Sequence, residues 1–399
     1  MAIVIRESDI ARMVAQQPEN NSHARRYFSK VDLHPSTLIA MSKIKKETGN
    51  IPVVGRGGPG IRPKHGAEQE FVSPVPIEID DTFSAVELDE YERLDGTGKQ
   101  QLVDERTAEH FVQVRETTNA LCCQALRGKI DYMMKTAGGR SRYVVDYGTV
   151  QTVNLGSLKG LTFNKAVQSL SNIAKIVKRK VGGGIEFIAA DDVYAYFVEL
   201  LSKNDALSQN NKGDYLLIGQ YKVYQDNDLY FDADEDGKMV EKSLCNPGEI
   251  LCRAVNAGQS LKFCKLDDTV MNRAVAFYSF THDRSDHRGT DIFSKSKPFP
   301  LVNVKGLAWG KFSSTQYTLT FTSDGNGTVK ATVNGAAVES GAKVNDGETV
   351  IFTLEPKDGY EFDKWSGASE KNIVSNDNGT FGIVVDADKT VKASFKASA

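Results

Sequence analysis

Cysteine and histidine are scarce in this 399-residue chain, and each shortage removes a class of function. The five cysteines, Cys122, Cys123, Cys245, Cys252 and Cys264, are odd in number and include no C-x-x-C pair. They point to neither a disulfide framework nor a zinc site, and Cys122 and Cys123 read as small core hydrophobes in a helical pattern. Six histidines offer one cluster, Thr281-His-Asp-Arg-Ser-Asp-His287. Its two imidazoles stand five apart, on neither one helix face nor one strand face, so it reads as a solvated loop joining two strands and no metal is expected. No apolar run approaches the ~18 residues a bilayer span requires. Arg6, Glu7 and Asp9 interrupt the place where a secretory signal is continuously apolar, which makes a soluble cytosolic product the default expectation. Nor is there an excess of one charge: 49 basic against 52 acidic residues leave −3. Gripping nucleic acid as a main task needs a basic face that this balance does not supply.

Catalytic signatures are missing as well. No serine, cysteine or lysine stands in the setting of an activated nucleophile, and the chain is expected to be no enzyme and to carry no cofactor. Gly182-Gly-Gly184 follows a helix and precedes a strand, the reverse of a phosphate loop, and reads as a helix stop. Asp232-Ala-Asp-Glu-Asp-Gly237 begins like a calcium loop, but Ser243 stands where the bidentate Glu belongs and the flanks are strand-like; an acidic hairpin turn is expected.

What is present divides near residue 315. From Gln316 to Ala399 there are 8 basic and 12 acidic residues, leaving 41 and 40 before them, and all five cysteines precede the boundary. Gly310–Gln316 reads as a short linker. The tail is all β: strands are expected at 317–322, 328–333, 349–354, 381–385 and 390–395, separated by Asp324-Gly, Asn334-Gly, Asp346-Gly, Asp358-Gly and Asn378-Gly turn signals.

The first 315 residues mix helix and strand without a βαβ period, so the fold class is α+β. Residues 48–82, with Gly55-Arg-Gly-Gly-Pro-Gly60 and Pro63, Pro74 and Pro76, cannot be a core helix or a central strand, and read as an extended arm packed on something outside its own core. Ser84-Ala-Val-Glu87 forms a capping box for a short helix to about Leu94. From about Lys99 to Arg127, Val103, Thr107, Phe111, Val114, Thr118, Leu121 and Ala125 keep 3–4 spacing, a helix of roughly 40 Å. Glu105, Glu109, Gln113 and Glu116 occupy its other face, so it is expected to lie across a surface. Strands are expected at 129–135, 142–147, 185–189, 215–224, 228–232, 250–255, 261–266, 274–281 and 301–309, and helices at 164–180 and 191–201, the second capped by an Asp.

The stretch Val54-Gly-Arg-Gly-Gly58, Phe71-Val-Ser-Pro74, the helix 105–126 with its terminating Leu126-Arg-Gly-Lys129, and the block Asn272–Ala276 to Phe299–Val302 together resemble the lambda-like major capsid proteins, the capsid protein E family of tailed phages. The resemblance implies an N-terminal arm at 1–47, an extended loop at 48–82 with its tip at Arg56, Gly57, Gly58 and Pro59, and a peripheral domain at 83–159. It places a spine-helix face at Phe111, Val114 and Leu121, an axial domain at 160–268, and a return to the peripheral domain at 269–312. It implies self-assembly as hexamers and pentamers into an icosahedral shell around double-stranded DNA, with portal and scaffolding proteins as partners, in virions assembled in the host cytoplasm.

The tail resembles a second family. Gly325-Asn-Gly-Thr328, Gly341-Ala-Lys-Val344, Gly359-Tyr-Glu-Phe-Asp-Lys-Trp-Ser-Gly367 and Asp388–Phe395 are similar to the divergent internalin-type B-repeat. Trp365 is expected to anchor a small core, while an exposed Tyr360 would suit stacking on host or mucus glycans. A bacterial surface adhesin carrying such a repeat, an enzyme with an appended binding module, and a phage tail tube or sheath subunit remain as rival readings.

Overall fold

The structure is a computed structural model that describes residues 4–18, 22–45, 66–158, 160–204, 206–233, 238–269, 271–284, 289–313, 316–333, 335–345, 348–376 and 380–398. Two compact units result: 1–153 with 170–310, and 154–169 with 311–399.

In the first unit, α1 (Glu7–Gln16) and α2 (His23–Tyr27) precede a strand, Val31–His34, that runs parallel to Ser260–Cys264. Residues 7–16 and 23–34 are therefore built into the unit. Ile10 and Met13 of α1 pack on Val114 and Phe277, and Tyr27 and Phe28 are buried. Strands Ile39–Lys45 and Gly66–Val72 pair antiparallel in register Ile39↔Val72 to Lys45↔Gly66, a two-stranded ribbon. A third segment, Ile77–Ser84, pairs with Gly289–Ser296, which pairs in turn with Tyr278–Asp283.

The capping box forms as the spacing predicts: Ser84 Oγ accepts from Glu87 N, and Glu87 Oε2 accepts from Ser84 N at 2.8 Å. It opens α3 (Ala85–Arg93). The long helix α4 spans Gly96–Leu126 and starts earlier than Lys99, because the Asp95 carboxylate accepts from Gly98 N at 2.7 Å and fixes the first turn despite two glycines. Its buried residues include Val103, Thr107, Val114, Thr118, Leu121 and Ala125, while Glu105, Glu109, Gln113 and Glu116 are exposed. The helix does not lie on a surface for its whole length: every residue from Thr118 to Leu126 is buried. Gly128 ends it at φ +91°, where a Cβ would meet Gly148 O at 2.6 Å.

Beyond α4 the hairpin Lys129–Thr136/Gly139–Asp146 forms. Helix α5 covers Phe163–Lys180 and α6 Asp191–Lys203. The expected Asp cap of α6 is absent; Ala190 is the N-cap, and the Asp192 carboxylate instead accepts from Gly248 N at 2.8 Å. The buried strand Ile185–Ala189 sits between Tyr221–Gln225, parallel to it, and Glu249–Ala254, antiparallel. The single strand expected at 215–224 is a hairpin, Leu216–Ile218 with Tyr221–Gln225, turned at Gly219-Gln220. The strand expected at 301–309 is likewise two, Pro298–Leu301 and Leu307–Ser313, with a 3-10 turn at Val304–Gly306.

In the second unit two sheets face each other. One has the order Ala342–Asn345, Gln316–Ser323, Lys389–Ala397, Tyr360–Ser366, and the other Ala336–Val338, Gly327–Val333, Thr349–Pro356, Phe381–Val384, Val374–Ser375. Leu319, Phe321, Val344 and Val391 from the first meet Ala331, Val333, Val350, Phe352 and Ile383 from the second in one core. Trp365 packs against Phe352 at 5.2 Å and Phe381 at 5.6 Å, the anchoring role its position suggests.

Candidate assembly surfaces

Arg56, Gly57, Gly58 and Pro59 lie outside the described residues. What is described is their carrier, the ribbon 39–45/66–72, which starts nine residues before the arm expected at 48–82. Phe111, Val114 and Leu121 share one helix face as the spacing predicts. That face is spent inside the subunit: Val114 meets Ile10 and Met13, and Phe111 stands edge-on to Phe277 at 5.4 Å. The covering element is α1, which carries no strong signal in the sequence beyond Ile10, Met13 and Val14. Tyr360 is 37% exposed on an edge strand of its sheet.

Sequence reasoning passed over a polar seam between α4 and the sheet beneath it. Arg106 donates to Asp81 Oδ2 at 2.6 Å and to Glu87 Oε1 at 2.7 Å. Buried His110 bonds Ser294 Oγ at 2.9 Å and Asp81 Oδ2 at 3.3 Å. The Ser84 amide and hydroxyl, then Arg106, hold the Glu87 carboxyl below its usual range. A second seam involves α2: Ala24 N donates to Asp228 Oδ2 at 2.7 Å, and Arg253 donates to His23 O at 2.7 Å. These bonds fix the shape of one subunit; among the described residues no group of three or more potential ligands converges on a metal position.

Burial removes the thiols from chemistry too. All five are buried and free, and desolvation pushes Cys122 up to about 12. His282 sits on the strand Tyr278–Asp283, opposite Asp291, whereas His287 lies outside the described residues. The strands around Asp234–Gly237 pair as a hairpin, Leu229–Ala233 with Met239–Ser243, and Asp232 is turned inward to accept from Lys242 Nζ at 2.8 Å.

The described residues also present the ribbon 39–45/66–72 and two hairpins, 129–146 and 229–243, that carry exposed apolar side chains. Residues 8–309 match the family model for phage major capsid protein E. The chain belongs to that family. Residues 317–399 match the divergent InlB B-repeat domain. A phage major capsid protein is a structural component of the virion capsid, and this one carries the B-repeat domain behind its capsid region. Among solved structures, the crystal structure assigned to a prophage capsid protein of E. coli CFT073 is similar with a TM-score of 0.51 at 12% identity, covering 78% of this chain and 100% of that one. The mature capsid of bacteriophage PhiM1 gives a TM-score of 0.45 at 9% identity over 75% of this chain and 90% of that one. At such identity the first likeness speaks for the fold alone. No curated protein matches the sequence.

Proposed function

We propose that this capsid protein assembles with copies of itself, as hexamers and pentamers, into an icosahedral head that encloses double-stranded phage DNA. The family match over residues 8–309 carries the reading. Portal and scaffolding proteins are its expected partners and the host cytoplasm its place of assembly. In this reading 83–159 and 269–312 form the peripheral domain around α4, 160–268 the axial domain, and the ribbon 39–45/66–72 projects Arg56–Pro59 toward a neighbour. The near balance of charge before residue 316 suits a container whose wall does not hold its DNA through many phosphate contacts. Many modest subunit contacts, closed into a lattice, add to a strong whole.

The C-terminal domain faces outward in this proposal and stabilises the lattice in the manner of a built-in decoration domain. Adhesion to host or mucus glycans through Tyr360 is a second role, favoured by that ring's exposure. Electron microscopy and sedimentation of the protein, expressed alone and with its neighbouring phage genes, test the reading. Closed shells bearing external knobs are expected; tubes or a persistent monomer would overturn it. Deleting 316–399 should leave closed shells that disassemble at lower temperature, and shells of unchanged thermal stability would remove the stabilising role. Removing Gly55–Gly60 should block assembly while the monomer stays folded.

A further inference from the structure

Four of the large apolar side chains most open to solvent lie on two neighbouring hairpins of the first unit. Leu229 is 59%, Phe231 54% and Met239 56% exposed on one, and Val144 50% exposed on the other. The strand registers show how they are grouped. Phe231 stands opposite Glu241 and Ala233 opposite Met239, so Leu229, Phe231, Met239 and Glu241 share the outer face of hairpin 229–243. The inner face carries Tyr230 and Asp232, both buried. In hairpin 129–146, Asp131 stands opposite Val144 and Lys135 opposite Arg140. Lys129, Asp131, Met133, Lys135, Arg140, Arg142, Val144 and Asp146 therefore share its outer face, and Ile130 and Val145 are buried on the inner one. Every charge in this hairpin is on the outer face.

The two hairpins are also held rigidly relative to each other. Buried Gln124 of α4 accepts from Asp131 N at 2.9 Å and donates to Asp232 Oδ2 at 3.3 Å. Arg142 spans both, bonding Asp131 Oδ1 at 2.7 Å and Ala233 O at 3.2 Å. Their net charges are opposite. Among the described residues the outer face of 229–243 carries Glu241, whereas that of 129–146 carries Lys129, Lys135, Arg140 and Arg142 against Asp131 and Asp146, a net of +2. One outer face is thus apolar with an acidic residue, the other basic around an apolar centre. Contiguous apolar surface left open on a subunit marks a contact, and opposite charge sets which face meets which.

We propose that the outer face of hairpin 229–243 in one subunit seats on the outer face of hairpin 129–146 in a second copy of this chain, Phe231 against Val144 and Met133, with Glu241 meeting Lys135 or Arg140. The contact is heterologous: each copy offers both halves at different places, and repetition of one such contact closes a ring when its rotation divides a full turn. It rests on the shell-forming reading, and names the faces that reading leaves open.

Phe231→Glu and Val144→Glu, at exposed positions, should keep the wild-type melting temperature of the subunit while cutting the yield of closed shells at least tenfold. Glu241→Lys should cut it as well, and Glu241→Lys combined with Lys135→Glu and Arg140→Glu should restore it severalfold. Phe231→Cys/Val144→Cys, oxidised in assembled particles, should give a ladder of covalent oligomers on a denaturing gel, a readout that survives if the charged variants fold poorly. Shells formed normally by Phe231→Glu, or a disulfide found only within single chains, would overturn the contact. Absence of particles from the wild type would instead sink the shell reading, and this contact with it.

Discussion

At Asp226 two opposing titrations meet. Its carboxylate accepts from Cys245 N at 2.6 Å and from Asp228 N at 3.0 Å, yet burial outweighs both bonds and pushes its pKa up from 3.8 to about 6. A raised carboxyl contributes stability that is fully present below 3.8 and is lost as the pH rises through about 6. Nearby His23 behaves oppositely. Burial first, then Arg253 and Arg26, lower it from 6.5 against the pull of Asp228 and Glu186, so its contribution is present above 6.5 and is lost on acidification. The two act in opposite directions in the wild type. Asp226→Asn removes one side, and its stability should fall by about 1 kcal/mol relative to the wild type's trend between pH 7 and 5, read by urea unfolding. Gly327 is constrained by space instead: a Cβ there would meet three atoms of the Phe395 ring at 2.6–2.8 Å. Gly327→Ala should destabilise the C-terminal domain by about 1–3 kcal/mol, seen as a lower melting temperature of that domain.

Among the elements, α3, α4 and strands such as Ile185–Ala189 and Glu249–Ala254 were legible from local pattern, whereas Gly289–Ser296 was not. The Ser84/Glu87 box announces α3 and the 3–4 spacing announces α4, because both signals are written within a few residues. The bounds of the strand Gly289–Ser296 carry a weak local signal for a physical reason. Its buried face is Thr290, Ile292, Ser294 and Ser296, so period-2 burial is carried mostly by hydroxyls. Those hydroxyls are satisfied only by distant partners: Ser294 by His110 and Ser279, Ser296 by Ala276 O at 2.7 Å. The burial of the end of α4 all round was less legible, since Asn119 and Gln124 are polar and Gln124 is accommodated by the hairpins it joins. At this scale Ser84→Ala should cost about 1 kcal/mol through the lost cap, with α3 fraying first in hydrogen exchange.

For the molecule as a whole, composition located the division near residue 315 because charge and cysteine use change there, and the compact units divide at Gly310/Lys311. Composition could not assign 154–169 to the second unit, since that membership is set by contacts far along the chain. The proposed assembly surfaces were the least legible. A residue that is apolar and exposed looks, in a sequence, like one that is apolar and buried, and Phe231 is separated from Tyr230 only by which face its strand turns inward. The tail, by contrast, draws its core residues from both of its own sheets. Residues 316–399 expressed alone should therefore fold and melt cooperatively, and a chain that stays unfolded in isolation would count against that autonomy.

The first strand of that domain, Gln316–Ser323, runs parallel to its last, Lys389–Ala397, with Leu319 beside Lys389 and Ser323 beside Ala393. Both strands thus start at the same pole of the sheet, and the last one finishes about 26 Å away at ~3.3 Å per residue. A peptide grafted after Ala397 would leave from the pole opposite the tether to the capsid region. An affinity tag placed there would be held away from that tether by the length of the domain's own sheet.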